Sequence, residues 1–272
     1  MRSDWYLRKR GVSFSYSKRS VSVSFLSSQK TMTQQTFIIY PAIDLRNGQV
    51  VRLQYGDPNL QTVFGNDPAE AGQRWLDQGA EWLHVVNLDG AFGDKSAANW
   101  EALPLITALN GRVQFGGGIR GLSDIERALQ AGVDRVILGT VAVEQPELVT
   151  EAISQFGADQ IVVGIDARDG EVKTRGWQTG AGVSPTDLAQ QMADKGVKTI
   201  IHTDIARDGV LTGVNAEKSA GIAQATGLDV IASGGVATLD DIRRTKAQNL
   251  AGVITGRAIY DGKFSLAEAL QI

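Results

Sequence analysis

The chain has no cysteine among its 272 residues. Disulfides, thiolate nucleophiles and cysteine-based zinc sites are thereby excluded. Histidine is nearly as scarce, with only His84 and His202, so a histidine-rich metal site lacks ligands and no metal is expected. Proton transfer, where it occurs, then falls to carboxylates. No apolar run reaches the ~18 residues of a membrane span, and a net charge of −3 offers no basic groove for nucleic acid. Glycine is what the chain has in excess: 31 residues, about 11%, against a usual ~7%. That excess signals tight turns or close approaches of backbone to ligand. With 43% hydrophobic content, the length fills one large core or two small ones, and a single large α/β domain fits.

The first 36 residues read differently from the rest. Seven basic residues stand against the single acid Asp4, alongside nine serines. The net +6 of this segment leaves −9 for Phe37 to Ile272. An Arg- and Ser-rich, acid-poor leader resembles a transit peptide, whereas Met32, just before the first strand pattern, suggests an over-long reading frame; the second reading is preferred. On either, 1–36 is expected to be a disordered extension and 37–272 the catalytic domain.

From Phe37 onward, short apolar runs alternate with amphipathic segments. The strand candidates are FIIYPAI, WLHVVNL, VQF, RVILG, IVVGI, TIIHT, VIAS and GVIT. Helical patterns follow over Pro68 to Gln78, Ala97 to Leu109, Leu122 to Ala131, Pro146 to Phe156, Ser184 to Lys195, Ala216 to Ala225, Leu239 to Gln248 and Ser265 to Leu270. Eight strands alternating with eight helices in about 236 residues is the pattern of an α/β (βα)8 TIM barrel.

The sequence also repeats itself. "AIDLRNGQV" from Ala42 returns as "GIDARDGEV" from Gly164, "HVVNLDG" from His84 as "HTDIARDG" from His202, "GGGIRGLSDIERA" from Gly116 as "SGGVATLDDIRRT" from Ser233, and "VILGTVA" from Val136 as "VITGRAI" from Val253. Four matches in one order, at offsets of 117 to 122, predict two duplicated (βα)4 halves.

Active sites of such barrels gather at the C-terminal ends of the strands. Asp44 and Asp166, ending the first and fifth strand candidates, are therefore expected to face each other across the mouth. A lone Asp there often only caps a turn, but the duplicated placement favours a functional pair. The glycine-rich strand ends bring Gly117, Gly118, Gly139 and Thr140 in one half and Gly234, Gly235, Gly256 and Arg257 in the other. Either cluster alone reads equally as turn glycine. Two related clusters of bare backbone N–H groups at helix starts suggest two phosphates on one elongated ligand, with Arg257 adding a charge-assisted contact.

The motifs "PAIDLRNGQVVRLQYGD", "LDGA", "GGGIR", "GTVAV", "GIDARDG", "GW", "HTDIARDG", "SGGV" and "GRAIYDG" together resemble the histidine-biosynthesis isomerases that act on phosphoribosylformimino-aminoimidazole carboxamide ribonucleotide. The resemblance runs from about Phe37 to the C-terminus. It implies an Amadori rearrangement, aminoaldose to aminoketose, on a small-molecule ribonucleotide with a phosphate at each end. It also implies Asp44 as general base and Asp166 as general acid. Only protons move, so no cofactor is expected. Thr203 matches a threonine beside the substrate, though it also suits a strand as a β-branched residue. Trp177, in the polar loop "TRGWQTGAG", matches a tryptophan that stacks on the base. Arg52 either contacts a phosphate or is solvated, and the two histidines read as packing or hydrogen-bonding residues.

One position departs from the family pattern: Asn87 stands where Asp is usual, keeping the shape and hydrogen bonding but not the charge. The sister cyclase, imidazole glycerol phosphate synthase, shares the duplicated barrel, but its first-strand motif has Cys and a following Lys where this chain has Ala42, Ile43 and Arg52. An enzyme that also isomerises phosphoribosylanthranilate is the second rival, because Arg175 could offer its guanidinium to a carboxylate. A silent phosphate-binding barrel is the third. A single-substrate cytoplasmic monomer, with no nucleic-acid or membrane partner, is the preferred expectation.

Overall fold

The computed structural model describes residues 36–94 and 97–272, so all of the expected leader but Thr36, and both candidate start positions, lie outside the described residues. Eight parallel strands close into a ring: β1 Ile38–Arg46, β2 Trp82–Asn87, β3 Arg112–Gly116, β4 Arg135–Leu138, β5 Ile161–Arg168, β6 Thr199–Asp204, β7 Asp229–Ser233 and β8 Gly252–Thr255. Each strand pairs with its successor, β8 pairs with β1, and no barrel edge is left open. The fold is a (βα)8 barrel, as the alternating sequence pattern predicts.

Every predicted helix forms within a residue or two of its expected bounds, from Pro68–Asp77 to Leu266–Ala269. Their starts are chemically marked. Asp67 accepts from the N–H groups of Ala69 and Glu70, and Ser184 from that of Asp187, each just ahead of a proline that tolerates the first turn. Thr238 with Asp241 and Ser265 with Glu268 form reciprocal capping pairs. Among the described residues, no helix is long and apolar enough to cross a membrane.

Side chains alternate across each strand, and this period of two decides what reaches the mouth. On β1, Ile39, Ile43 and Leu45 join the core beneath the helices, while Tyr40 and Ala42 fill the barrel interior. Asp44 shares the inward parity. On β5, Ile161, Val163 and Ile165 face the helices and Val162 faces inward, so Asp166 is inward as well. Fully buried side chains such as Ile43, Leu45, Leu83 and Ile165 each contribute roughly 1.5–3 kcal/mol of burial. At the opposite end, Trp82 plugs the barrel, with Arg135 and Arg112 stacked over its ring at 4.4 and 5.5 Å.

The repeated stretch "RNG" and "RDG" is a hairpin turn. Asn47 and Gly48 have φ of 49° and 75°, and Asp169 and Gly170 of 54° and 80°, the left-handed pair that two-residue hairpins require. After β1 the chain returns antiparallel over Gln49–Gln54 and again over Asp57–Gly65; after β5 it returns over Glu171–Thr174, which pairs with Thr179–Gly180. These strands were not expected from the sequence pattern. They rise from the rim on the side where the two inward carboxylates end.

Candidate active site

Asp44 points inward near the C-terminal end of β1, and Arg52 reaches it from the first hairpin. Arg52 Nη1 donates to Asp44 Oδ2 at 2.7 Å, with the two side chains 11% and 17% exposed. Burial pushes the Asp44 carboxyl above its usual range, and Arg52 pulls the other way. The solvated alternative for Arg52 is therefore corrected: its guanidinium is buried at the mouth. It also lines a pocket with Ser233, Gly234, Gly235, Gly256 and Arg257, the second of the two expected glycine clusters.

Asp166 lies beside Thr203 in the β5–β6 register, and the Thr203 hydroxyl hydrogen-bonds its carboxylate. Trp177 Nε1 donates to Asp166 Oδ2 at 2.7 Å. Burial raises this carboxyl too, while both donors favour its ionised form. Asp44, Arg52, Asp166, Trp177 and Thr203 thus come together.

A third carboxylate joins them. Asp208, in the turn after β6, is pushed up to about 7, first by burial, then by Asp44, against the pull of Arg52, with a further push from Asp166. It lines the same pocket as Arg52. It lay within the quoted motif "HTDIARDG" yet was not singled out; the available signal was its place in the repeat that also carries Asp89-Gly90 in the first half.

The glycine clusters differ in outcome. Gly234 and Gly235 take φ of 90° and 94°, and a Cβ on Gly234 would lie 2.6 Å from the Asp204 carbonyl oxygen, so only glycine fits. Gly256 opens the short helix Arg257–Tyr260. Arg257 lines the pocket while donating to the Gly209 carbonyl at 2.7 Å and pairing with Asp261 at 3.0 Å. In the first half, Gly117 and Gly118 adopt φ of 96° and 79°, and Gly139 opens the short helix Thr140–Glu144. Gly118 lines a separate cleft with Asn87, Gly90 and Arg120 that does not include Gly139 or Thr140.

Arg175 has its side chain paired away from Asp166. It is exposed, its Nε pairs with Glu144 at 2.8 Å, and its backbone N–H donates to Thr140 Oγ1 at 2.9 Å. Asn87 serves the local structure, since its Oδ1 accepts from Gly90 N at 3.1 Å and from Asn99 Nδ2 at 2.7 Å. His84 lies inside the barrel against Gln114 at 3.0 Å, and His202 faces outward to Ser219 Oγ at 2.9 Å, the hydrogen-bonding roles expected of them.

A family profile described as "Histidine biosynthesis protein" matches residues 38–265. The chain belongs to that family. Three curated relatives carry the name 1-(5-phosphoribosyl)-5-((5-phosphoribosylamino)methylideneamino) imidazole-4-carboxamide isomerase. That of Rhizorhabdus wittichii is 50% identical over 241 residues, covering 87% of this chain and 98% of its own. Those of Granulibacter bethesdensis and Acinetobacter baylyi are 50% and 49% identical, covering 86% and 85% of this chain and 97% and 96% of theirs. Against this histidine-biosynthesis background, the cluster of Asp44, Asp166 and Asp208 beside a glycine-lined, arginine-walled pocket is suited to proton transfer on an anionic ligand.

Proposed function

We propose that this protein is the isomerase its relatives are named for, converting the phosphoribosylamino end of that imidazole carboxamide ribonucleotide from aminoaldose to aminoketose. The observation that carries the reading is one carboxyl, Asp208, held near neutrality between two others at the barrel mouth, next to a pocket walled by Arg52 and Arg257. In this reading Asp208 protonates the ribose ring oxygen, the C1–O bond breaks, and a protonated Schiff base forms. Asp44 then takes the C2 proton, leaving an enolamine that picks up a proton at C1 to give the ketone. Burial makes Asp44 a stronger base than a solvated carboxylate.

We assign the acid role to Asp208 rather than to Asp166: burial raises both carboxyls, but Trp177 and Thr203 oppose the rise at Asp166, whereas Asp44 and Asp166 add to burial at Asp208 and push it up to about 7 against the pull of Arg52. Asp166 instead anchors Trp177 over the ligand. Protons only are exchanged, so the reaction calls for no metal or redox cofactor. Gly234, Gly235, Gly256, Arg257 and Arg52, which line one pocket, receive one phosphate; the other is assigned to the ends of the adjacent strands β3 and β4, at Gly117, Gly118, Gly139 and Thr140, beyond the cleft that Gly118 lines.

A single substrate is favoured over dual use, because Trp177 is seated on Asp166 while Arg175 is paired outside with Glu144. A cytoplasmic monomer acting on a small molecule is part of the same proposal. Steady-state assays on the histidine-pathway ribonucleotide and on phosphoribosylanthranilate test this. Turnover of the first with only trace activity on the second is expected; comparable efficiencies, with only the anthranilate reaction lost in Arg175→Ala, would overturn the single-substrate reading.

A further inference from the structure

Tyr260 and Arg52 meet on one backbone oxygen. The Tyr260 hydroxyl donates to the Ala42 carbonyl at 3.0 Å, and Arg52 Nη2 donates to the same oxygen. Ala42 lies two residues before Asp44 on β1, so both groups are tied to the strand that carries the carboxylate. The guanidinium carbon lies 5.1 Å from the centroid of the Tyr260 ring, a cation–π distance. The ring is itself fixed, edge-on to Trp75 at 5.1 Å and against Phe64 at 4.9 Å. A second wall is Gly256, where a Cβ would come within 2.8 Å of the guanidinium carbon. Arg52 Nε is buried with no partner among the described residues, although Arg52 lines the pocket of Ser233, Gly234 and Gly235.

We propose that Tyr260 is a positioning residue of the isomerisation: its ring holds the Arg52 guanidinium between Asp44 and the glycine pocket, so that one cation serves both the base and the bound anion. The inference rests on the isomerase reading above. Two of the five donors of arginine are accounted for by Asp44 and Ala42, which leaves guanidinium donors for an anion in the pocket that Arg52 lines. The charged and titratable groups around this cation are Asp44 from β1, Asp208 from the turn after β6, Tyr260 after β8 and His84 from β2, with Arg257 on the same pocket wall. Arg52 favours the ionised form of Asp44. A guanidinium that leaves its place raises the proton affinity of Asp44, and the acid limb of the rate profile moves to higher pH.

The test compares Tyr260→Phe, which keeps the ring, with Tyr260→Leu and the more flexible, gap-filling Tyr260→Met, which remove it. Melting temperature is recorded for each, together with kcat and KM against pH and, by calorimetry, the binding of inorganic phosphate. In Y260F, the loss of one hydrogen bond lowers kcat by at most about fivefold, and the acid limb stays in place. In Y260L and Y260M, kcat falls by about tenfold to a hundredfold, KM rises, the acid limb moves to higher pH, and phosphate binds more weakly than in Y260F. Ring-less variants with wild-type constants, or with a lower kcat but unchanged KM, acid limb and phosphate binding, would place Tyr260 in packing alone and overturn the proposal. Equal losses in all three variants would assign the effect to the hydroxyl and overturn the role of the ring. A wild-type protein without turnover of the ribonucleotide would remove the isomerase reading instead, while the comparison of phosphate binding would still decide whether the ring holds Arg52.

Discussion

Trp177 donates its indole N–H to Asp166 at 2.7 Å from a left-handed backbone, with φ of 69°. Arg175 and Gly176 before it have φ of 54° and 62°. For the two residues with side chains, this conformation costs of order 1–2 kcal/mol each. The indole also lies against the turn of the first hairpin, where a Cβ on Gly56 would sit 2.3 Å from Trp177 Cε3. Trp177 thus bridges the two rim hairpins and the carboxylate between them, while Arg175 is drawn outward to Glu144.

Replacing Trp177 separates its stacking from its hydrogen bond. Trp177→Phe keeps an aromatic face but removes the donor, and kcat/KM is expected to fall by about tenfold, the worth of one charge-assisted bond. Trp177→Ala also removes the ring and is expected to fall by a further order of magnitude or so. Steady-state kinetics on the ribonucleotide checks the order; equal activity in the alanine variant would remove Trp177 from the site.

The three carboxylates are expected to be unequal. Asp44→Asn and Asp208→Asn each lose about 10²- to 10⁴-fold in kcat, because an amide cannot exchange the proton. Asp166→Asn still accepts from Trp177 and is expected to lose only about tenfold. The alkaline limb of the wild-type kcat profile should fall near the titration of Asp208, at about 7. An Asp208→Asn enzyme of normal rate, with Asp166→Asn inactive, would return the acid role to Asp166.

Acidification should weaken the fold through the buried histidines. Burial lowers His84 from 6.5 to about 3 and His202 from 6.5 to about 4, so the folded state binds fewer protons than the unfolded chain between those values. Their contribution is present above 6.5 and lost as pH falls through that window. His202→Asn, which can still donate toward Ser219, is expected to show a shallower loss of stability over the same range. Urea unfolding at a series of pH values measures it, and parallel slopes in the two proteins would contradict the assignment.

Asn99 anchors the first hairpin to the barrel. It is fully buried, its Oδ1 accepts from Gly48 N at 2.8 Å, and its Nδ2 faces the Leu45 carbonyl, Asn87 and Asp89 at 2.7–2.9 Å. Asn99→Ala leaves several buried polar groups unpaired and is expected to cost about 2–4 kcal/mol. Denaturant unfolding reads this directly, and a loss below about 0.5 kcal/mol would mean that water replaces the amide.

By itself, the sequence determined the ring of strands and helices, because periods of 2 and 3.6 residues and the caps at Asp67, Ser184 and Thr238 are local. Through the same period of two, it also placed Asp44 and Asp166 on the inward face at the strand ends. The turns of the rim hairpins were legible as well, in the repeated pairs Asn47-Gly48 and Asp169-Gly170, but the strands that follow them carry no distinct period. Tertiary structure alone decided which groups share charge and protons. Asp208 rises to about 7 because folding buries it and brings Asp44 and Asp166 to it from other strands. Tyr260 reaches the carbonyl of Ala42 from 218 residues away. Arg175 turns outward because Glu144, 31 residues earlier, offers it a partner. Proton affinity and side-chain direction depend on burial and on charges a few ångströms away, and only chain closure creates those distances.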